Sequence, residues 1–305
     1  MKRNIIAYFQ LAMAMFLAGS SVVVGKIIIN VFPVFLSQTI TLIIAVIGIF
    51  PLAWFFEGNV FKIKISKKDL MYMILQALTG MFLFRIFLLY GLKFTSATEG
   101  GIITSTNPAI LSILSLIILK EKVSLKAWIG IAICVLGILL INTVNKNGIG
   151  SNGAISLFGN FLIILAVVGE SLFTIFRKKM SYNDKPITST MIIIVFALIM
   201  FIPISIYEGI FYDFYSVSFI DIVPLIIYGM FCTVLAYICW FSGVAKVSVS
   251  VAAGFTGVMP ISSVALSFLI LKETITWQHI LGAVLVIIGI YTISFVKNKV
   301  VKSLN

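Results

Sequence analysis

The sequence predicts an all-α integral membrane protein, with ten transmembrane helices forming a five-plus-five inverted-topology repeat. Composition, the placement of Lys and Arg, and an internal repeat carry this prediction. Of 305 residues, 61% are hydrophobic and only 10% are charged. Soluble proteins are about a quarter charged. Mean hydropathy is +1.18. A globular chain leaves much of its surface in water. This composition therefore excludes a soluble enzyme, a nucleic-acid-binding module and a disordered chain.

A helix crossing the hydrocarbon core needs about 20 mostly apolar residues. Ten stretches qualify: 5–26, 33–56, 70–92, 99–119, 125–143, 154–176, 187–207, 220–244, 248–271 and 276–296. Short connections make them hairpins. Met1-Lys2-Arg3 before an apolar run resembles a signal peptide, but that run is the first of a matched set and reads as a span. If the N-terminus lies inside and the spans alternate, Lys and Arg gather on the inner side. The exceptions are Lys26, Lys93, Lys146 and Lys272 outside, and Arg85 within the third span. This is the positive-inside bias. It accounts for the +12 net charge, makes the lipid bilayer the partner and leaves no role for nucleic acid. It also puts both termini in the cytoplasm. Abundant Ile, Lys and Asn point to a bacterial plasma membrane.

Two segments align without gaps at an offset of 152, residues 90–141 on 242–293. Matched pairs include Gly91/Gly243, Ser96/Ser248, Thr104/Thr256, Pro108/Pro260, Lys120/Lys272, Glu121/Glu273, Gly130/Gly282 and Gly137/Gly289. Pro51 matches Pro203 in the same frame. The halves are expected at 1–146 and 147–305, five spans each. An odd number of spans makes the second half enter the membrane in the opposite sense, a transporter architecture.

A mid-span Pro, a short Lys-Glu loop and a Gly-x6-Gly helix in each half resemble the EamA family of the drug/metabolite transporter superfamily. The resemblance covers essentially the whole chain. It implies a central cavity lined by spans 1, 3, 4, 6, 8 and 9, with spans 5 and 10 peripheral. It does not specify a substrate.

The candidate site residues are the polar and kinked positions within the spans. Pro108 and Pro260 remove backbone donors and kink their helices. They read as pivots lining the path, or as packing devices with Ser and Thr satisfying the freed groups. Asn107 is the polar residue expected in the cavity. Arg85 and Glu99 fall at overlapping depth, and a charge there is costly. They read as a gate-like ion pair, as a clamp on the carboxylate and amine of a zwitterion, or as a structural salt bridge. Their counterparts are Tyr237 and Val251, so the pair is asymmetric. Glu170, deep in span 6, suits proton coupling or recognition of a substrate amine, or is hydrated or paired with Lys26. Lys26 is expected to snorkel outward. His279 is expected at the interface. Tyr237 and Trp240 share a face and can stack on a substrate or pack. Gly130/Gly137 and Gly282/Gly289 form small-residue stripes, between spans 5 and 10 or between protomers of a homodimer.

There is no Walker loop, no His/Cys/carboxylate cluster and no GxSxG elbow. No cofactor and no enzymatic activity are expected. The leading expectation is a secondary transporter exporting small amphipathic or zwitterionic metabolites, such as amino acids or drug-like compounds. The alternatives are a sugar or nucleoside permease, an integral membrane enzyme and a non-transporting membrane protein.

Overall fold

The computed structural model describes residues 2–58, 65–120, 123–141, 152–180, 185–244, 246–247 and 255–294. Among these, Glu121, Ser248, Val251, Lys146 and the C-terminal lysines are missing; these expected features lie outside the described residues. The described residues form helices and no strand. Span 1 is Lys2–Val31, span 2 Val34–Glu57, span 3 Lys67–Phe94, span 4 Ala97–Ile118 and span 5 Leu125–Ile141. Span 6 is Asn152–Lys179, span 7 Pro186–Phe211, span 8 Phe219–Val244, span 9 Val258–Leu271 in its described part, and span 10 Trp277–Ser294. Seven are long and apolar enough to cross a membrane, and spans 5, 9 and 10 are shorter apolar helices.

Local chemistry sets several starts. Ser66 accepts from the Asp69 N–H at 3.1 Å and donates to Asp69 Oδ2 at 2.7 Å, opening span 3. Ser96 accepts from the Glu99 N–H at 3.0 Å to open span 4. Ser218 and Asp221 form a capping box for span 8. A Ser followed three residues later by an acid is the helix-start signature of the sequence.

Matched helices run antiparallel to each other, the arrangement of an inverted pair. Spans 2 and 7 cap one another. Glu57, at the end of span 2, accepts from the N–H groups of Ile187 at 2.8 Å and Thr188 at 2.7 Å. Glu208, near the end of span 7, accepts from the Leu36 N–H at 2.8 Å. Each carboxylate faces the positive end of the partner's dipole. Their shared core centres on Leu42, Ile49, Ile194 and Phe201.

Spans 5 and 10 pair at the periphery through their glycines. A Cβ on Gly130 would lie 2.7 Å from the Gly289 carbonyl oxygen, and one on Gly137 2.9 Å from that of Gly282. The small-residue stripes therefore face each other within one chain. Gly130→Leu is expected to destabilise the protein by about 1–3 kcal/mol or more through overpacking against backbone. Leu139→Ala, on the outward face, should be near neutral. Thermal unfolding in detergent compares the two.

Two features are absent from any periodicity argument. Ala77–Leu83 in span 3 and Ile227–Leu235 in span 8 are π-helical. They end at matched positions, two residues before Arg85 and Tyr237 respectively. Single π turns inside α-helices recur at functional sites.

Candidate functional site

Span 4 breaks where Pro108 predicts it. Its first helix ends at Thr104, a turn follows at Ser105 and Thr106, and a second helix begins at Asn107 with Pro108 in its first turn. Span 9 turns at Thr256 and Gly257 before Val258, with Pro260 in the next turn. Hydroxyls in span 4 bond to carbonyls one turn back. Thr104 donates to Gly100 at 2.9 Å, Ser105 to Gly101 at 2.6 Å and Thr106 to Ile103 at 2.7 Å. The broken helices are thus preformed, and their polar side chains are mostly spent on their own backbone.

Between the halves lies a cavity of about 510 Å³, and its lining is predominantly apolar. Spans 1, 3, 4, 6, 8 and 9 line it, and spans 2, 5, 7 and 10 do not. It runs from Arg85 and Tyr228 at mid-depth toward Arg177, Phe241 and Val244 at the ends of spans 6 and 8. At the opposite end a buried apolar plug, including Val22, Leu89, Leu92, Ile103 and Ile163, closes it.

Arg85 is buried at the blind end. Its Nη1 donates to Gln38 Oε1 at 2.7 Å and Nη2 to Thr233 Oγ1 at 2.9 Å. Its Cζ lies 5.0 Å from the centroid of the Tyr228 ring, a cation–π contact. Gln38 comes from the first half, Thr233 and Tyr228 from the second. No carboxylate pairs with Arg85 among the described residues.

The expected Arg85–Glu99 ion pair does not form. Glu99 lies outside the cavity lining, in a buried polar cluster at the closed end. Its Oε2 accepts from Asn160 Nδ2 at 2.6 Å and Thr95 Oγ1 at 2.9 Å, and its Oε1 is 3.9 Å from His279 Nε2. Antiparallel helices give the two charges similar depth but point them at different neighbours. His279 is accordingly buried rather than interfacial, its Nδ1 accepting from the Thr276 N–H at 3.1 Å. Lys26 does not snorkel: its Nζ donates to the carbonyls of Leu92 and Thr95.

Asn107, Pro108, Glu170, Tyr237 and Trp240 all line the cavity, whereas Pro260 is buried beside it. Asn107 Oδ1 accepts from Ser171 Oγ at 2.6 Å. Glu170 has no side-chain donor among the described residues, and its Oε2 is buried without a partner. Phe173, Tyr237 and Phe241 follow one another as a ring-to-ring wall, at 6.3 and 6.1 Å between centroids. Arg177 stacks over Phe241 at 5.3 Å toward the open end. Sequence reasoning missed Gln38, Thr233, Tyr228 and Phe173. Gln38 and Thr41 were the available signal, as polar residues within a nearly uniform apolar span.

The chain matches the model of the EamA-like transporter family twice, over residues 5–143 and 157–295. It is 40% identical over 300 residues to an uncharacterized transporter, YetK, of Bacillus subtilis, covering 98% of this chain and 89% of that one. It is 28% identical to a second uncharacterized transporter of the same organism, YyaM, covering 78% of this chain and 77% of that one. A solved structure at 15% identity shares the fold, with a TM-score of 0.61 and coverage of 95% of this chain and 96% of that one. Two tandem family matches, a cavity between them and a close relative of nearly full coverage agree: the chain is a multi-pass membrane protein that belongs to the EamA-like transporter family.

Proposed function

We propose that this protein is a secondary exporter of small amphipathic zwitterions, such as amino acids or related drug-like compounds, working by alternating access. The observation that carries the reading is two opposite charges, Arg85 and Glu170, lining one cavity without an ionic partner among the described residues. A buried unpaired charge is costly. A ligand carrying a carboxylate and an ammonium group offsets both costs at once. Its carboxylate meets the free edge of the Arg85 fork at the blind end, and its ammonium meets Glu170 nearer the mouth. Phe173, Tyr237 and Trp240 then cover its apolar body.

With the lysine-rich side in the cytoplasm, the cavity faces the cytoplasm, as loading for export requires. Both termini lie on that side, and the membrane is the plasma membrane. Glu170 is the group through which proton coupling would run. The halves, 1–146 and 147–305, are the two units of alternating access, their cavity-lining spans rocking against one another around the frame of spans 2 and 7. A sugar or nucleoside permease would leave both charges uncompensated. No membrane-enzyme chemistry is proposed.

The test is untargeted mass spectrometry of medium and cytosol from cells with and without the chain. The expected result is a zwitterionic metabolite enriched in the medium, with saturable flux in proteoliposomes. Enrichment in the cytosol would reverse the direction, and flux confined to neutral sugars or nucleosides would overturn the substrate class.

A further inference from the structure

At the closed end, span 3 finishes at Phe94 and span 4 begins at Ala97, so two opposite half-dipoles meet at one hairpin tip. The unpaired carbonyls at the end of span 3 are negative and the free N–H groups at the start of span 4 are positive. A charge of the matching sign reaches each. Lys26 of span 1 donates to the carbonyls of Leu92 and Thr95. Glu273, just past span 9, accepts from the Ala97 N–H at 2.8 Å, the Thr98 N–H at 2.9 Å and the Thr98 hydroxyl at 2.7 Å. Lys272 adopts the left-handed conformation, φ 56° and ψ 29°, which reverses the chain; the Glu273 N–H then donates to the Ser267 carbonyl. Lys120 has the same left-handed φ, 55°, in the first half. In the second half the Lys-Glu motif thus has a geometric purpose: left-handed Lys272 ends the helix and aims Glu273.

We propose that Glu273 and Lys26 are the gate residues of the closed end, an electrostatic latch on the tip of the span 3–4 hairpin. The proposal deepens the transport reading and rests on it. The latch sits directly above the apolar plug, with the cavity on the plug's other side. Glu273 belongs to the second half and the hairpin to the first. The cavity cannot be reached from this end until the tip leaves span 9, and the Glu273 bonds are those that must break. The locked pair of spans 2 and 7 differs. It is capped at both ends and contributes no lining residue to the Arg85 cavity, so its carboxylates serve a fixed frame.

The test uses the native Cys232, which lines the cavity. The full-length chain, in sealed vesicles of either orientation, is treated with a membrane-impermeant methanethiosulfonate, and modification of Cys232 is read by peptide mass spectrometry. An added Tyr215→Cys, fully exposed in the loop on the Glu273 side, reports which face the reagent meets. In the wild type, Cys232 should react from the opposite face. In Glu273→Gln, reaction from the Glu273 face should rise roughly tenfold or more, the population shift expected from losing charge-assisted hydrogen bonds, and reaction from the other face should fall. An unchanged sidedness in a folded Glu273→Gln overturns the latch. If that variant does not fold, Lys26→Met and Thr98→Val should give smaller shifts in the same sense, and no shift in either overturns it equally. Labelling needs no substrate. A shifted sidedness with no exported metabolite defeats the export reading alone, and export with unshifted labelling defeats the latch alone.

Discussion

Arg85→Ala should abolish transport while leaving some folded protein in the membrane. The substitution removes the cation at the blind end and strips Gln38 Oε1 and Thr233 Oγ1 of their donor. A hydrogen bond involving a charged group contributes about 1.5–3 kcal/mol, or roughly 10–100-fold in an equilibrium constant. Two such bonds to a substrate carboxylate place the expected loss at a hundredfold or more. Arg85→Lys separates charge from geometry. It keeps the cation but cannot reach Gln38 and Thr233 together through a planar fork, so transport should fall at least about tenfold. Initial rates in proteoliposomes, with protein level and melting temperature alongside, check both. Transport at wild-type rate by a folded Arg85→Ala chain would remove Arg85 from the substrate path.

The second large effect separates stability from function. Glu170→Gln keeps the side-chain shape and removes a charge that no donor satisfies among the described residues. The amide has no ionised form to desolvate. The variant should therefore melt at the same temperature as the wild type or higher. Transport of a zwitterion should nonetheless drop by at least about tenfold, because the ammonium loses its counter-charge. The N-acetylated analogue of the same substrate, which lacks the ammonium, should lose nothing. Equal loss for both forms would mean that Glu170 acts in coupling rather than in recognition.

The sequence carried the architecture well and the contacts poorly. Hydropathy and charge bias need only one dimension, so ten spans and the internal repeat could be read from them. Pro108 marked its break to within a few residues because proline acts on its own backbone. Rotation about each helix axis is a different quantity. Arg85 and Glu99 have compatible depths, yet one points at Gln38 and the other at Asn160. The π-helical stretch before Arg85 turns that side chain away from where an α-helical count would put it, and neither Pro nor a Gly pair announces it. Glu273 was legible as a motif, but its target lies in the other half of the chain. His279 looked interfacial because Trp277, two residues before it, is; two residues along a helix are about 200° of rotation.

The cavity's asymmetry bears on how such a protein can arise from a duplicated half. Arg85 and Tyr237 occupy equivalent positions, and both line the cavity. In an assembly of two identical halves inserted in opposite senses, the same residue would stand at both positions. Two guanidinium groups would then share one apolar chamber and repel each other. Joining the halves in one polypeptide frees each position to vary independently. One keeps the cation and the other becomes a neutral aromatic ring, which gives the chamber a polarity along its length. A ligand with a head and a tail can then enter in one orientation only, which no twofold-symmetric ancestor could enforce.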